Sequence, residues 1–255
     1  MNDLPGLTTK KLGRHFIHLP LVDSTNNYVK ENALLLQDGA AVIADEQSGG
    51  RGRLGREWVS RPGAGLYLSV YLEQMPKDWL TRLPLVTALA VREGLKNLCG
   101  VELGIKWSND LLAYNKKVCG ILCESRIYPN TISGVIGIGV NLLQDERDFL
   151  GYGVLYASSL LLATNRVFLP PQAAAAICNS LEPALTRLEQ EGFLPLLCEY
   201  KKLCVTLGRK VRFSREGAPL IGEAVDIAED GSLVCEVNGK RHAVSSGEAA
   251  EINNI

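Results

Sequence analysis

Three arginines and four glycines fall within the eight residues Gly49-Gly50-Arg51-Gly52-Arg53-Leu54-Gly55-Arg56. Guanidinium groups are permanently charged, and their planar fork of donors matches carboxylate and phosphate oxygens. Glycines let the backbone take positive φ and approach a ligand closely. Together these residues describe a loop that handles anions. An Arg-Gly tract can also be a flexible RNA-binding segment or a solvated turn. This one is bracketed by Ala41-Val42-Ile43-Ala44 and by 65–72, two apolar runs that read as core strands. A loop fastened between core strands is a site element rather than a tail.

Three more polar or glycine-rich stretches stand at the ends of expected strands and helices: Asp23-Ser24-Thr25-Asn26, Lys106-Trp107-Ser108-Asn109-Asp110 with Lys116-Lys117, and Gly137-Ile138-Gly139-Val140-Asn141. Lys117 enters the apolar run Val118-Cys119-Gly120-Ile121-Leu122, where a lysine requires an anionic partner. Other residues carry two readings. Ser24 and Thr25 suit a helix cap as well as a ligand contact, and Gly137 and Gly139 could serve strand packing alone. Asp110 reads as a group that orients the Lys106 segment rather than one that touches substrate.

The scaffold that must hold these stretches is of ordinary globular composition. Its 255 residues are 46% hydrophobic and 22% charged with a formal net charge of -1, which argues against a dedicated nucleic-acid binder. No apolar run reaches the roughly 20 residues of a membrane span and no signal-peptide pattern opens the chain, so the expected compartment is the cytoplasm. Seven scattered cysteines without a Cys-x-x-Cys pair read as reduced, mostly buried small hydrophobes, and His15 and His18 lack further metal ligands nearby.

Up to about residue 203, apolar strands alternate with amphipathic helices. A helix capped by Asp23 or Ser24 is expected through Tyr28, Val29, Ala33 and Leu36, with longer helices at 83–98 and 172–189. Strands are expected at 101–107, 111–114, 118–124 and 131–140, with a hairpin around Asn115-Lys116; this favours an α+β arrangement on a mixed, mostly antiparallel sheet over a Rossmann fold. Beyond 203 the texture changes to short strands at 209–213, 220–227, 232–237 and 240–245 separated by Gly-containing turns. The expected division is a catalytic domain over 1–203 and a small β-barrel over 204–255.

Taken in order, Asp23–Asn26, Gln47–Trp58, Lys106–Asp110, Lys117–Glu124 and Gly137–Asn141 resemble the motifs of biotin protein ligase, the enzyme that biotinylates the carboxyl carrier protein of acetyl-CoA carboxylase. Five motifs in register are far more specific than any one of them. The resemblance implies a class II synthetase-like catalytic domain with flanking helices and an SH3-like C-terminal domain. It also implies a two-step reaction with Mg²⁺-ATP that forms biotinyl-5′-AMP and then passes biotin to an acceptor lysine.

By family position, Lys117 would bridge the biotin carboxylate and the α-phosphate, with Arg51 and Arg53 as its catalytic companions. The biotin site would comprise Ser24, Thr25, Gln47, Gly50, Arg51, Arg53, Lys117, Gly120, Leu122 and Gly137. The nucleotide would be met by Arg53, Arg56, Trp58, Asn109, Lys117 and Asn141, with Trp58 on the adenine side and no dedicated set of protein metal ligands. Implied partners are biotin, ATP and the carrier domain, with homodimer formation left open.

The match has gaps. Ser108 stands where the family usually has proline, and Gly247-Glu248 is followed by Glu251, Ile252 and Asn253 without the usual basic residue, which puts a nucleotide contact from the C-terminal domain in doubt. About 20 residues precede the Ser24-Thr25 motif, too few for the winged helix of the ligase-repressors, so DNA binding is not expected. Lipoate-protein ligase shares the expected fold but has different pocket motifs. A biotin sensor without turnover remains the non-enzymatic alternative, against which Lys117 speaks.

Overall fold

The computed structural model describes residues 4–129, 131–215, 218–245 and 249–251. The chain opens with β1 (Phe16–Val22), α1 (Thr25–Glu31), β2 (Ala41–Gln47) and β3 (Gly65–Leu72). It continues through α2 (Trp79–Cys99), β4 (Gly104–Lys106), β5 (Asp110–Ala113), β6 (Lys116–Ile127) and β7 (Ile132–Asn141). Four helices follow: α3 (Glu146–Gly151), α4 (Leu160–Thr164), α5 (Pro170–Glu191) and α6 (Phe193–Leu203). The strands β8 (Lys210–Arg215), β9 (Ala218–Ile227), β10 (Leu233–Val237), β11 (Lys240–Val244) and β12 (Ala249–Glu251) close the order.

The first seven strands form one sheet in the order β1-β2-β3-β7-β6-β5-β4, in which only the β1–β2 pair is parallel. The fold is therefore mixed α+β with a mostly antiparallel sheet, as the alternating pattern indicated. The interior strand β3 is buried at every position, with α1 and α5 packed against it, while α2 packs against β4, β5 and β6. The two long helices approach closely: a Cβ on Gly94 would stand 2.6 Å from the Ala176 carbonyl oxygen. The Ala173–Ala176 run thus does more than supply helix propensity; Ala173, Ala174 and Ala175 form a buried low-relief surface for α2.

Several expected boundaries need correction. α1 ends at Glu31, and residues 32–36 turn instead of continuing the helix. Val29, Ala33 and Leu36 still share one buried side at the i, i+4, i+7 spacing of a helix, with Leu34 94% and Leu35 80% exposed, so the apolar stripe outlasts the helix itself. The strand expected over 101–107 contracts to Gly104–Lys106. The β5–β6 hairpin turns at Tyr114 and Asn115 with φ of 48° and 64°, the pair of positive φ values that a two-residue turn matching strand twist requires.

Two strands were not foreseen. β1 carries Pro20, which argues against a central strand; β1 lies at the sheet's edge, where a missing N–H does no harm. β12 pairs with β8 and completes the five-stranded C-terminal sheet β11-β10-β9-β8-β12. That sheet is tied to the larger one through the Lys106 segment. The Val205 N–H donates to the Ile105 carbonyl (2.9 Å), the Trp107 N–H to Thr206 Oγ1 (3.0 Å) and Trp107 Nε1 to the Gly231 carbonyl (3.1 Å). Gly247, Glu248, Ile252 and Asn253 lie outside the described residues.

Candidate active site

A cleft of about 1150 Å³ runs over the face of β6 and β7 and is walled by the arginine loop, the Lys106 segment, the 144–157 stretch and the start of β8. It exceeds the size of most single-ligand sites, typically ~300–1,000 Å³, and has room for two reactants. Every residue assigned to the site from sequence lines it except Gly50. Gly50 stands just behind the wall, where a Cβ would meet the Trp58 carbonyl oxygen at 2.4 Å and Gln47 Nε2 at 3.1 Å.

One end of the cleft is built from neutral polar groups. Ser24 occupies the N-cap position of α1, yet its side chain makes no capping hydrogen bond. Gln47 Oε1 accepts from the Thr25 N–H (2.9 Å) and lies 3.2 Å from Thr25 Oγ1, while Gln47 Nε2 donates to Ser60 Oγ (3.1 Å). Beneath them Ser69 Oγ lies 2.7 Å from Thr25 Oγ1 and 2.6 Å from Asn26 Oδ1. Gly137 is glycine because Asn26 fills the space in front of it: a Cβ would stand 2.4 Å from Asn26 Oδ1.

The middle is cationic. Lys117 Nζ is 2.8 Å from Asp110 Oδ1, so the lysine of the apolar strand has the anionic partner its position demanded, and Asp110 serves that lysine directly. Arg53 Nη1 donates to Ser108 Oγ and to Asn109 Oδ1, each at 2.8 Å, which fastens the arginine loop to the Lys106 segment. Asn109 is fixed in turn by its Nδ2 donating to the Ile121 carbonyl (2.7 Å). Burial lowers the Arg53 pKa while Asp110 opposes the shift; a guanidinium stays charged regardless. Arg51 Nη2 donates to Asn27 Oδ1 (2.6 Å) and lies 3.2 Å from each oxygen of Glu124. The Trp107–Ser108 peptide is cis.

Trp58 lies across two glycines that are cross-strand partners, Gly120 and Gly139. A Cβ on Gly139 would be 2.5 Å from Trp58 Cε2, and one on Gly120 2.8 Å from Cζ3. The indole packs flat on the sheet because neither strand carries a side chain there. Lys117 Nζ sits 5.4 Å from the ring centroid, a cation–π distance. Trp58 Nε1 is buried without a hydrogen-bond partner.

Sequence reading missed part of the wall. Tyr67, Phe149, Tyr152 and Tyr156 bring aromatic surface to the cleft, and Arg209 and Lys210 bring charge from the C-terminal sheet. Tyr67 sits inside the apolar run of β3 and could have been found only from the alternation of that strand. The 149–156 stretch offered a signal in its exposed apolar residues, Leu150, Leu155 and Tyr156. Burial pushes the Cys123 thiol up to about 12 and the Cys119 thiol up as well, so the cysteines beside the cleft are inert packing groups.

A cleft that joins a neutral polar end to a cationic centre suits the condensation of a small carboxylic acid with a nucleotide. Residues 18–141 match the Biotin/lipoate A/B protein ligase family and residues 206–250 the Biotin protein ligase C terminal domain. The chain is 35% identical over 226 residues to the bifunctional ligase/repressor BirA of Salmonella typhimurium, covering 87% of this chain and 69% of that one. It is 30% identical over 234 residues to the biotin–[acetyl-CoA-carboxylase] ligase of Paracoccus denitrificans, covering 90% of this chain and 98% of that one. The biotin protein ligase of Aquifex aeolicus in complex with biotin and ATP superposes with a TM-score of 0.79 at 28% identity, covering 96% of this chain and 99% of that chain. The chain belongs to the biotin protein ligase family.

Proposed function

We propose that the protein activates biotin with ATP, forming biotinyl-5′-AMP and pyrophosphate, and transfers the biotinyl group to a lysine of the biotin carboxyl carrier protein of acetyl-CoA carboxylase. The observation that carries this reading is Lys117 at the junction of the neutral and cationic parts of the cleft, with Arg53 and Arg51 on the facing loop. Two anionic reactants repel each other, so preorganised cations contribute the largest share of catalysis.

The roles divide along the cleft. Ser24, Thr25 and Gln47 meet the ureido ring, while Gly120, Leu122 and Gly137 leave an apolar slot for the bicycle and its chain. Lys117 holds the carboxylate oxygen against the α-phosphate; in the absence of ligand, Asp110 keeps that ammonium in place. Arg53 and Arg56 neutralise phosphate charge. Trp58, Asn109 and Asn141 face the nucleoside. The catalytic part comprises residues 1–203, and the part from 204 onward closes the phosphate end with Arg209 and Lys210.

Mg²⁺ would arrive with ATP. Among the described residues no cluster of three or more His, Cys, Asp or Glu stands ready to hold a metal, and Mg²⁺ commonly binds through substrate phosphates with few protein ligands. Gln144 Oε1 is buried without a partner, and Gln144 Nε2 lies 3.4 Å from Asn141 Oδ1. These two amide oxygens are hard donors that fit the ion, whose charge would offset that of the phosphates.

The test is pyrophosphate release by the purified chain with ATP, Mg²⁺ and either biotin or lipoate, with and without an acceptor carrier domain. Release with biotin that becomes multiple-turnover on adding the acceptor supports the reading. Release with lipoate alone would replace it, and biotin binding without any release would make the protein a sensor.

A further inference from the structure

Glu124 stands outside the cleft wall, yet three donors from two elements converge on it. Lys30 Nζ on α1 lies 2.8 Å from Oε1, Asn26 Nδ2 lies 2.8 Å from Oε2, and Arg51 Nη2 of the loop is 3.2 Å from both oxygens. The carboxylate side chain retains 23% of its exposure, so this is a buttressed charge at the back of the site.

Its consequence follows from what each group is able to do. Asn26 Nδ2 faces the Glu124 carboxylate and the Leu122 carbonyl (3.2 Å), both of which only accept, so that side of the amide must be the NH₂. Asn26 Oδ1 therefore faces Ser69, and Ser69 has one proton to give it, at 2.6 Å. With that proton committed, the Ser69 oxygen can only accept at its other contact, Thr25 Oγ1 at 2.7 Å. The Thr25 proton goes to Ser69 or to Gln47 Oε1 at 3.2 Å. In both cases Thr25, which lines the cleft, offers a lone pair to whatever binds there.

We propose that Glu124 is a positioning residue that sets the polarity of the hydrogen-bond chain Asn26–Ser69–Thr25, so that Thr25 Oγ1 accepts from a ligand N–H. This rests on the reading that the neutral end of the cleft takes the ureido ring of biotin. Glu124→Gln breaks the device because a single amide oxygen cannot serve Asn26, Lys30 and Arg51 together, and its NH₂ would face donors. Asn26 then keeps only its longer contact to the Leu122 carbonyl (3.2 Å), so the amide is held less firmly and Ser69 can turn its proton toward Thr25. A site whose polar groups point the wrong way loses discrimination as well as affinity.

The experiment is a calorimetric titration of biotin, without ATP, into the full chain and into Glu124→Gln, Ser69→Ala and the double variant, with Tm measured for each. A second ligand, the cyclic carbamate in which oxygen replaces one ureido N–H, is titrated alongside in both regioisomers. Each single change is expected to raise the biotin Kd about tenfold, and the double variant well short of the hundredfold product, since both act on one chain. The preference for biotin over one carbamate isomer should shrink several-fold in Glu124→Gln. Additive losses, an unchanged biotin Kd, or an unchanged preference in the folded variants would overturn the proposal. Failure of the unmodified chain to bind biotin would instead overturn the functional reading on which it rests.

Discussion

Lys117 Nζ is held 2.8 Å from Asp110 Oδ1 on the neighbouring strand, above the indole of Trp58. The pair keeps a cation beside a nearly apolar strand before any substrate arrives. It also leaves the ammonium with protons to spare for two further oxygens, which under the proposed function a carboxylate and an α-phosphate would supply.

Lys117→Ala is therefore expected to abolish adenylate formation. One lost charge-assisted contact at a reacting centre costs about 3 kcal/mol, a hundredfold or more in rate. Pyrophosphate release measures it. A folded variant that releases pyrophosphate at the normal rate would remove Lys117 from the chemistry.

Gly139→Ala should evict Trp58 from its seat, since the new methyl would lie 2.5 Å from Cε2. Overpacking of this kind costs about 1–3 kcal/mol, and here the loop end of the indole gives way before the sheet does. The expected signature is a red-shifted tryptophan emission with ATP binding weakened more than biotin binding. Unchanged emission and unchanged ATP affinity would show that the indole is not part of the nucleotide site.

Arg53 joins the arginine loop to Ser108 and Asn109. Glycine at this position releases that tie, so Arg53→Gly should weaken retention of biotinyl-5′-AMP more than it slows its synthesis, with leaked adenylate modifying bystander lysines. Adenylate off-rates report the first effect. Hydrogen exchange over residues 47–58 is expected to slow when biotin binds; equal protection with and without ligand would refute a closing loop.

For Glu124, burial pushes the pKa up, but the hydrogen bonds from Lys30 and Asn26 outweigh it and hold the carboxyl below its ordinary 4.5. A depressed folded-state pKa contributes stability that is present above the unfolded value and lost as pH falls through the folded one. Tm of Glu124→Gln should lie below that of the unchanged chain at neutral pH, and the gap should narrow as pH falls below the ordinary glutamate value of 4.5 and on through the lowered folded one. A gap independent of pH would mean that the ionised carboxylate contributes nothing.

Much of this site was legible because chemistry concentrates rare residues in short runs. The Gly-Arg loop stands out in any reading, and Lys117 announces itself as a charge in an apolar strand. Asp110 was read as a brace for its own segment because the hairpin around Asn115 shows that β5 and β6 pair but not their register, which shifts between Leu111 and Leu112. Ser69 went unnoticed for a related reason: one serine inside Gly65–Leu72 looks like strand filler, and its meaning depends on Thr25 and Asn26 lying 2.7 and 2.6 Å away from a distant part of the chain. β1 went unread, and its Pro20 is tolerated because the strand lies at the sheet's edge. Local chemistry is thus visible locally, and supporting contacts that join distant segments are not.

The most direct measurement is a single-turnover reaction of the purified chain with biotin and Mg²⁺-ATP, quenched and resolved for biotinyl-5′-AMP, and then chased with an acceptor carrier domain. The adenylate should accumulate to about one equivalent per site and disappear as one biotinyl group appears on a single acceptor lysine, with neither step seen in Lys117→Ala. Biotin bound stoichiometrically with no adenylate formed would contradict the assignment of a ligase.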